Sequence, residues 1–106
     1  MENKDLKLNN DNYRKLAYGK RTSIRLGKKD ISLGPVRIVN DAATELHTDA
    51  MVRKVTICTF NSLTQRDAYL DGFKDISELR TELERCYQCL ILNTDVVTVI
   101  DFDVVD

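Results

Sequence analysis

The sequence predicts an α+β fold, a small mixed and largely antiparallel β-barrel with two to three flanking helices. Its 106 residues are enough for one domain with its own hydrophobic core. Hydrophobic periodicity gives the order β-α-β-β-β-α-α-β, with long strands and few crossovers. The chain has no room for a Rossmann unit and contains no G-x-G-x-x-G or P-loop sequence. We expect residues 1–5 to form a polar tail and residues 6–106 to form the single domain.

A short helix precedes the first long strand. Asn9-Asn10-Asp11 supplies helix N-cap chemistry, and Gly19 stands where a helix commonly stops. These signals predict a helix over about residues 11–18, after a short strand at 6–8. The glycine then allows the chain to turn into a strand over Lys20–Leu26.

Two further strands fill the middle of the chain. Val36–Val39 is rich in β-branched residues and follows a Gly-Pro turn signal. A polar hairpin loop is predicted over 40–49, and it carries His47 as a solvated loop histidine. A long strand over Met51–Phe60 mixes apolar and polar residues on both faces, which indicates partial burial on each side.

Two helices and a strand complete the fold. Thr64 followed by Asp67 is a weak capping-box pattern that opens a short helix. Asp75 followed by Glu78 opens the longest helix, which has a single apolar stripe. The final strand is predicted over Val96–Val105.

The segment Gly19–Gly27 carries three basic side chains and two hydroxyls within seven residues. Its apolar and polar residues alternate with the period of a strand. Thr22, Ile24 and Leu26 are expected to face a core, and the opposite face would present Arg21, Ser23 and Arg25 to a ligand. A solvated basic edge strand would give the same pattern without any ligand.

Charge is distributed unevenly along the chain, although the net charge is only −1. Residues 14–37 contain eight basic residues and one acid, whereas residues 65–106 contain ten acids and four basic residues. This split predicts a phosphate-facing patch in the first half of the chain. Attraction between the two halves within the fold is the alternative interpretation.

The three cysteines, Cys58, Cys86 and Cys89, are an odd number and do not form a disulfide framework. The C-x-x-C sequence lies at the end of a predicted helix. A zinc site built on it would need two more ligands, and the chain offers only Cys58 and His47 as candidates. We therefore expect no metal and no cofactor. Free thiols favour a reducing compartment, hence the cytoplasm. No apolar run approaches the roughly 18 residues of a membrane span, so we expect no membrane partner.

The run Gly19-Lys20-x-x-Ser23-x-Arg25 resembles the G-x-K-x-x-T-x-R signature of the ASCH domain, a branch of the PUA-like fold. The segment 63–87, with Asp71-Gly72-Phe73, and the closing strand 96–104 are also similar to ASCH chains. The resemblance covers about residues 6–105. It implies a PUA-like β-barrel whose cleft is lined by the signature strand. It also implies a function that involves RNA or modified nucleosides.

The resemblance also implies candidate catalytic residues. Some small ASCH proteins are amidohydrolases acting on N4-acetylcytidine, and others are described as ribonucleases. For the amidohydrolases, the implied catalytic set is a lysine, a threonine and a glutamate. By position these are Lys20 as base and Ser23 as hydroxyl nucleophile, while the nearest acid to the glutamate position at Gly72 is Asp71. The chain departs from the family pattern in having Gly19 directly before the lysine, serine for threonine, and a shorter acid. On a regular strand, residues 20 and 23 would point to opposite faces.

The leading hypothesis from the sequence is a module that binds RNA, a nucleobase or a nucleoside through the basic cleft. The alternatives are the amidohydrolase or another RNA-processing hydrolase, and a non-enzymatic module that binds a protein. Basic side chains are expected to contact phosphates or base edges, and an aromatic ring to stack on a base. The predicted ligand- or RNA-binding residues are Lys20, Arg21, Arg25, Lys28, Lys29, Arg37 and Phe73.

Overall fold

The computed structural model describes residues 5–105, which form one curled five-stranded sheet with three α-helices. The predicted fold class and order of elements are confirmed. Two short 3₁₀ segments, Lys15–Tyr18 and Phe60–Ser62, follow a helix and a strand respectively. The elements are β1 (Leu6–Leu8), α1 (Asn10–Arg14), β2 (Thr22–Leu26), β3 (Gly34–Asn40), β4 (His47–Thr59), α2 (Gln65–Leu70), α3 (Ile76–Tyr87) and β5 (Val96–Val104).

The sheet has the strand order β1-β3-β4-β5-β2, so β1 and β2 are its two edges. β1 runs parallel to β3, and all other neighbours are antiparallel. The pairing of β4 with β5 shifts register between Val52 and Lys54. A bulge of this kind increases the local twist, and it helps the 13-residue β4 to curl.

Apolar side chains pack on both faces of the curled sheet. On one face, α3 buries Leu79 and Leu83 in a cluster that includes Val97 of β5. On the other face, Ile100 and Phe102 of the same strand join residues from β1, β3 and β4. β5 is therefore buried on both sides, as expected for an interior strand of a half-barrel that is covered by helices.

Side-chain caps begin the helices where the sequence predicts them. Thr64 and Asp67 form a complete capping box at α2. Asp75 Oδ1 accepts a hydrogen bond of 2.8 Å from the Glu78 backbone N–H at the start of α3. α3 ends at Tyr87, and Gln88 takes the left-handed conformation (φ 54°) that closes a helix.

We expect Asp75→Ala to lower the free energy of unfolding by about 1 kcal/mol, because the substitution removes the N-cap of α3. Urea denaturation followed by circular dichroism measures the loss. Asp30→Ala, at an exposed loop position, is the matched control and is expected to change stability little. Equal losses for the two variants would contradict this role of Asp75.

Two local predictions need correction. The strand predicted over Lys20–Leu26 begins only at Thr22, because Lys20 and Arg21 lack the extended pairing of β2. His47 is not in a hairpin loop but is the first residue of β4, where it pairs with Val39. Of the predicted tail, residues 1–4 lie outside the described part of the chain. Asp5 forms an exposed ion pair with Arg37 at 2.7 Å.

No helix in residues 5–105 has both the length and the apolar character that crossing a membrane requires.

Candidate functional site

A cavity of about 450 Å³ lies between the two edge strands and α3. We call it the seam cavity, because it occupies the gap that the sheet leaves between β1 and β2. Its size is in the range of pockets that hold small organic ligands. Its polar side chains include Lys20, Ser23, Arg25, Asp71 and Glu82, and its apolar ones Ile24, Phe73, Leu79 and Leu83.

Lys20 reaches the seam cavity from the segment before β2. Gly19 turns the chain with φ 100°, and the Arg21 backbone N–H donates to the Leu70 carbonyl at 2.8 Å, which holds this segment against the end of α2. Lys20 Nζ donates to the Asp71 carboxylate and, at 3.0 Å, to the Asp71 carbonyl oxygen. Because Lys20 precedes the regular strand, the rule that residues three apart point to opposite faces does not apply to it.

Lys20 and Asp71 are only 3% and 4% exposed. Burial lowers the pKa of Lys20 and raises the pKa of Asp71, and in both cases it outweighs the attraction between the two charges. Both shifts favour the neutral forms. The pair can therefore give up or accept a proton more readily than an exposed lysine and aspartate could.

Ser23 and Arg25 lie two residues apart on β2 and so share a face of the strand. Arg25 Nε donates to Ser23 Oγ at 2.8 Å, and Arg25 Nη2 donates to the Lys7 carbonyl of β1, also at 2.8 Å. One guanidinium thus bridges the two edges of the sheet and orients the serine. Since Ser23 Oγ accepts from Arg25, its own O–H remains able to donate to a bound molecule.

Glu82 is a cavity residue whose role the sequence did not reveal. It forms an ion pair with Arg85 at 2.9 Å, three residues further along α3. Glu82 Oε2 also accepts hydrogen bonds from Asn9 and Asn12, which tie α3 to the start of α1. Burial alone would raise the pKa of Glu82, but the hydrogen bonds from Arg85, Asn9 and Asn12 lower it to about 2.

We expect the protein to lose stability as pH falls from about 4.5 towards 2, partly through Glu82. A carboxyl group whose pKa is lower in the folded state stabilises the fold above its unfolded pKa, and this stabilisation disappears as the group protonates. Glu82→Gln should flatten the acid side of the stability profile measured by urea denaturation. Glu45→Gln, at an exposed position, should leave it unchanged. Identical profiles for the two variants would rule out the Glu82 contribution.

The other predicted binding residues lie outside the seam cavity, except Phe73. Arg21 is exposed and donates to the backbone carbonyls of Lys20 and Leu16. Lys28 and Lys29 are exposed in the loop after β2. Arg37 lies on β3, paired with Asp5. The basic residues therefore do not form one continuous cleft.

Phe73 forms part of the cavity wall and is not an exposed stacking platform. It is 6% exposed, and Lys15 Nζ lies 3.7 Å from the centre of its ring. One face of the ring is thus covered by a cation.

The three cysteines are free thiols. Cys86 borders the seam cavity, Cys89 is exposed and Cys58 is half-buried. Across residues 5–105, no three His, Cys, Asp or Glu side chains come together in a way that could hold a metal ion.

Solved structures with the same fold include two bacterial proteins. One is an ASCH domain from Lactobacillus crispatus JV V101, with a TM-score of 0.72 and 14% sequence identity over 90% of this chain and 70% of that one. The other is a DUF984 protein from Enterococcus faecalis V583, with a TM-score of 0.66 and 13% identity over 96% of this chain and 76% of that one. Neither a protein-family model nor a curated protein matches the sequence. The chain has an ASCH-like fold, as its sequence motifs predicted.

Proposed function

We propose that the seam cavity binds a nucleobase or nucleoside. The observation that carries this proposal is that Lys20, Ser23 and Arg25, from one short segment, line one cavity of about 450 Å³ together with Asp71, which is 51 residues away from Lys20. The volume suits a molecule of nucleoside size better than a length of polynucleotide.

The two kinds of cavity wall suit the two parts of a nucleobase. Phe73 and Leu83, which are 6% and 5% exposed, form the apolar part of the wall against which the flat face of the base would lie. Arg25 and the Ser23 hydroxyl offer hydrogen bonds for its edge, which is how side chains distinguish bases. The ASCH-like fold supports the same ligand class, because the signature strand resembles that of ASCH domains, for which RNA or nucleoside ligands are implied.

A panel of nucleosides tests the proposal. The melting temperature of the protein is measured with cytidine, N4-acetylcytidine, uridine, adenosine and guanosine, since a ligand that binds only the folded state raises it. We expect at least one pyrimidine nucleoside to raise the melting temperature of the wild type, and not that of Ser23→Val. Lys28→Gln, which changes an exposed residue outside the cavity, should respond like the wild type. No response to any of the five would refute the proposal.

Amide hydrolysis is the second candidate function, and the buried Lys20–Asp71 pair favours it. A serine attacks an amide only when a base removes its proton, and burial favours the neutral, basic form of Lys20. The Ser23 proton would pass to Lys20 as Oγ bonds to the amide carbon. The C–N bond would then break, the leaving amine would take the proton, and water would release the acid from the serine ester.

Two hydrogen bonds place hydrolysis second to binding. Lys20 Nζ is hydrogen-bonded to the Asp71 carboxylate, and Ser23 Oγ accepts a hydrogen bond from Arg25. The lysine must therefore turn away from the carboxylate to reach the serine hydroxyl. Incubation with N4-acetylcytidine, followed by chromatography for cytidine, tests this function. Turnover that disappears in both Ser23→Ala and Lys20→Met would support it, and binding without turnover would leave the protein a binding module.

RNA, if it is bound, has a better surface outside the cavity. Tyr18 and Tyr69 are 86% and 71% exposed and border one groove, which also includes Lys74. Tyr18 borders a second groove with Arg14 and Arg21. Among residues 5–105, no acidic side chain lines either groove. Stacking rings beside cations are typical of surfaces that bind single strands.

Two double variants with the same change in charge test RNA binding on that surface. Fluorescence anisotropy of a labelled single-stranded RNA should show weaker binding for Arg14→Gln/Arg21→Gln. Binding by Lys28→Gln/Lys29→Gln should be unchanged. Absence of binding by the wild type at low salt would leave the surface available for a protein partner, the remaining alternative.

A further inference from the structure

We infer that the ligand of the seam cavity carries an acidic group, a phosphate or a carboxylate, which binds Arg25. This inference rests on the proposed function, which gives the location of the ligand. It adds that the ligand is negatively charged.

The first step is the charge of the side chains that line the cavity. Lys20 and Asp71 together carry no net charge, whichever of them holds the proton. Glu82 and Arg85 are an ion pair and also cancel. Arg25 adds one positive charge, and none of the ion pairs within residues 5–105 includes it.

The second step is the set of hydrogen bonds that Arg25 makes. Nε is used by Ser23 Oγ and Nη2 by the Lys7 carbonyl, both of which are uncharged acceptors. Nη1 makes no hydrogen bond within the described residues. The guanidinium therefore retains donors towards the cavity, in the planar arrangement that matches a carboxylate or phosphate.

The third step is the environment of that charge. Burial lowers the pKa of Arg25, which means that the surroundings disfavour its charged form. An arginine nevertheless keeps its proton at any ordinary pH. The remaining charged side chains at the cavity, Lys7 and Asp41, are exposed and of opposite sign, so they do not neutralise it. An oxyanion on the ligand would supply the missing negative charge.

The test uses two pairs of probes that differ by one acidic group. Calorimetric titration compares cytidine 5′-monophosphate with cytidine, and orotate with uracil. We expect at least one acidic probe to bind about ten- to a hundredfold more tightly than its neutral partner, since hydrogen bonds to charged groups contribute about that much. The first pair reports a phosphate on the sugar and the second a carboxylate on the base.

Arg25→Gln is expected to remove this preference, and Lys28→Gln to keep it. If Arg25→Gln does not fold, Arg25→Lys replaces it and should reduce the preference several-fold, because an ammonium lacks the bidentate geometry. Equal affinities within both pairs, or a preference that both Arg25 variants retain, would overturn the inference.

The outcomes separate this inference from the proposed function. Tight binding of cytidine, with no gain in affinity from its 5′-phosphate or from the carboxylate of orotate, would sustain the proposed function and refute the acidic group. Arg25-dependent binding of inorganic phosphate, with no binding of any nucleoside or base, would refute the proposed function and support the acidic group.

Discussion

Asp71→Leu is expected to lower the free energy of unfolding at pH 7 by about 3–5 kcal/mol, the usual result of leaving one member of a buried ion pair alone. The Lys20 ammonium would retain only a backbone carbonyl as its acceptor, in a site that is almost closed to water. Lys20→Met should cause a comparable loss, because it leaves the carboxylate alone.

The double variant Lys20→Met/Asp71→Leu should recover most of the stability, because two apolar side chains of similar size replace the pair. Urea denaturation of the four proteins gives a coupling energy, which we expect to be at least about 2 kcal/mol. The exposed pair Arg53–Asp103 is the control, and its coupling should be below about 1 kcal/mol. Losses that simply add at positions 20 and 71 would contradict a coupled pair.

The two single variants should also depend on pH in opposite directions. In Asp71→Leu the folded pKa of Lys20 lies below 10.5, so the unfolded state binds more protons and stability rises with pH towards that value. In Lys20→Met the folded pKa of Asp71 lies above 3.8, so stability rises as pH falls towards that value. The double variant should show neither slope.

Arg25→Leu is expected to weaken nucleoside binding by at least about tenfold and to lower the free energy of unfolding by about 2 kcal/mol. The substitution removes the hydrogen bond that orients Ser23 and the only described bridge from β2 to the backbone of β1. Titration calorimetry measures the first effect, and urea denaturation measures the second.

A second substitution separates binding from folding. Ser23→Ala leaves Arg25 and its bond to Lys7 in place, so it should reduce binding with little loss of stability. Arg37→Leu removes an exposed arginine outside the cavity and should preserve binding. If Arg25→Leu bound nucleosides as well as Arg37→Leu does, Arg25 would have no part in the site.

The sequence predicted the fold well because its signals are local. The capping pairs Thr64/Asp67 and Asp75/Glu78 lie within one turn of chain, and the structure contains both caps. The parallel pairing of β1 with β3 could not be predicted in this way, since it depends on contacts between segments about 32 residues apart, such as Leu6 with Ile38. The extension of β4 back to His47 could not be predicted for the same reason. Its residues are polar and locally favour a loop, but their pairing with β3 holds them in the strand.

The candidate site was harder to predict because its residues meet only in three dimensions. The signature strand indicated Lys20 and Ser23, and the structure brings Asp71, 51 residues away from the lysine, into contact with Lys20. The alternation pattern grouped Arg21 with Ser23 and Arg25. The structure separates them, because β2 begins after Arg21. Glu82 could not be assigned to the cavity, since its partners on the α1 side lie about 70 residues away.

The most direct test of the ligand cavity is a nuclear magnetic resonance titration of ¹⁵N-labelled protein with cytidine 5′-monophosphate. We predict saturable shifts that are concentrated in residues 20–25, 71–73 and 82–88, with Lys28, Lys29 and Arg37 unaffected. Saturable shifts centred on residues 34–40, or no saturable shifts at millimolar ligand, would contradict the account.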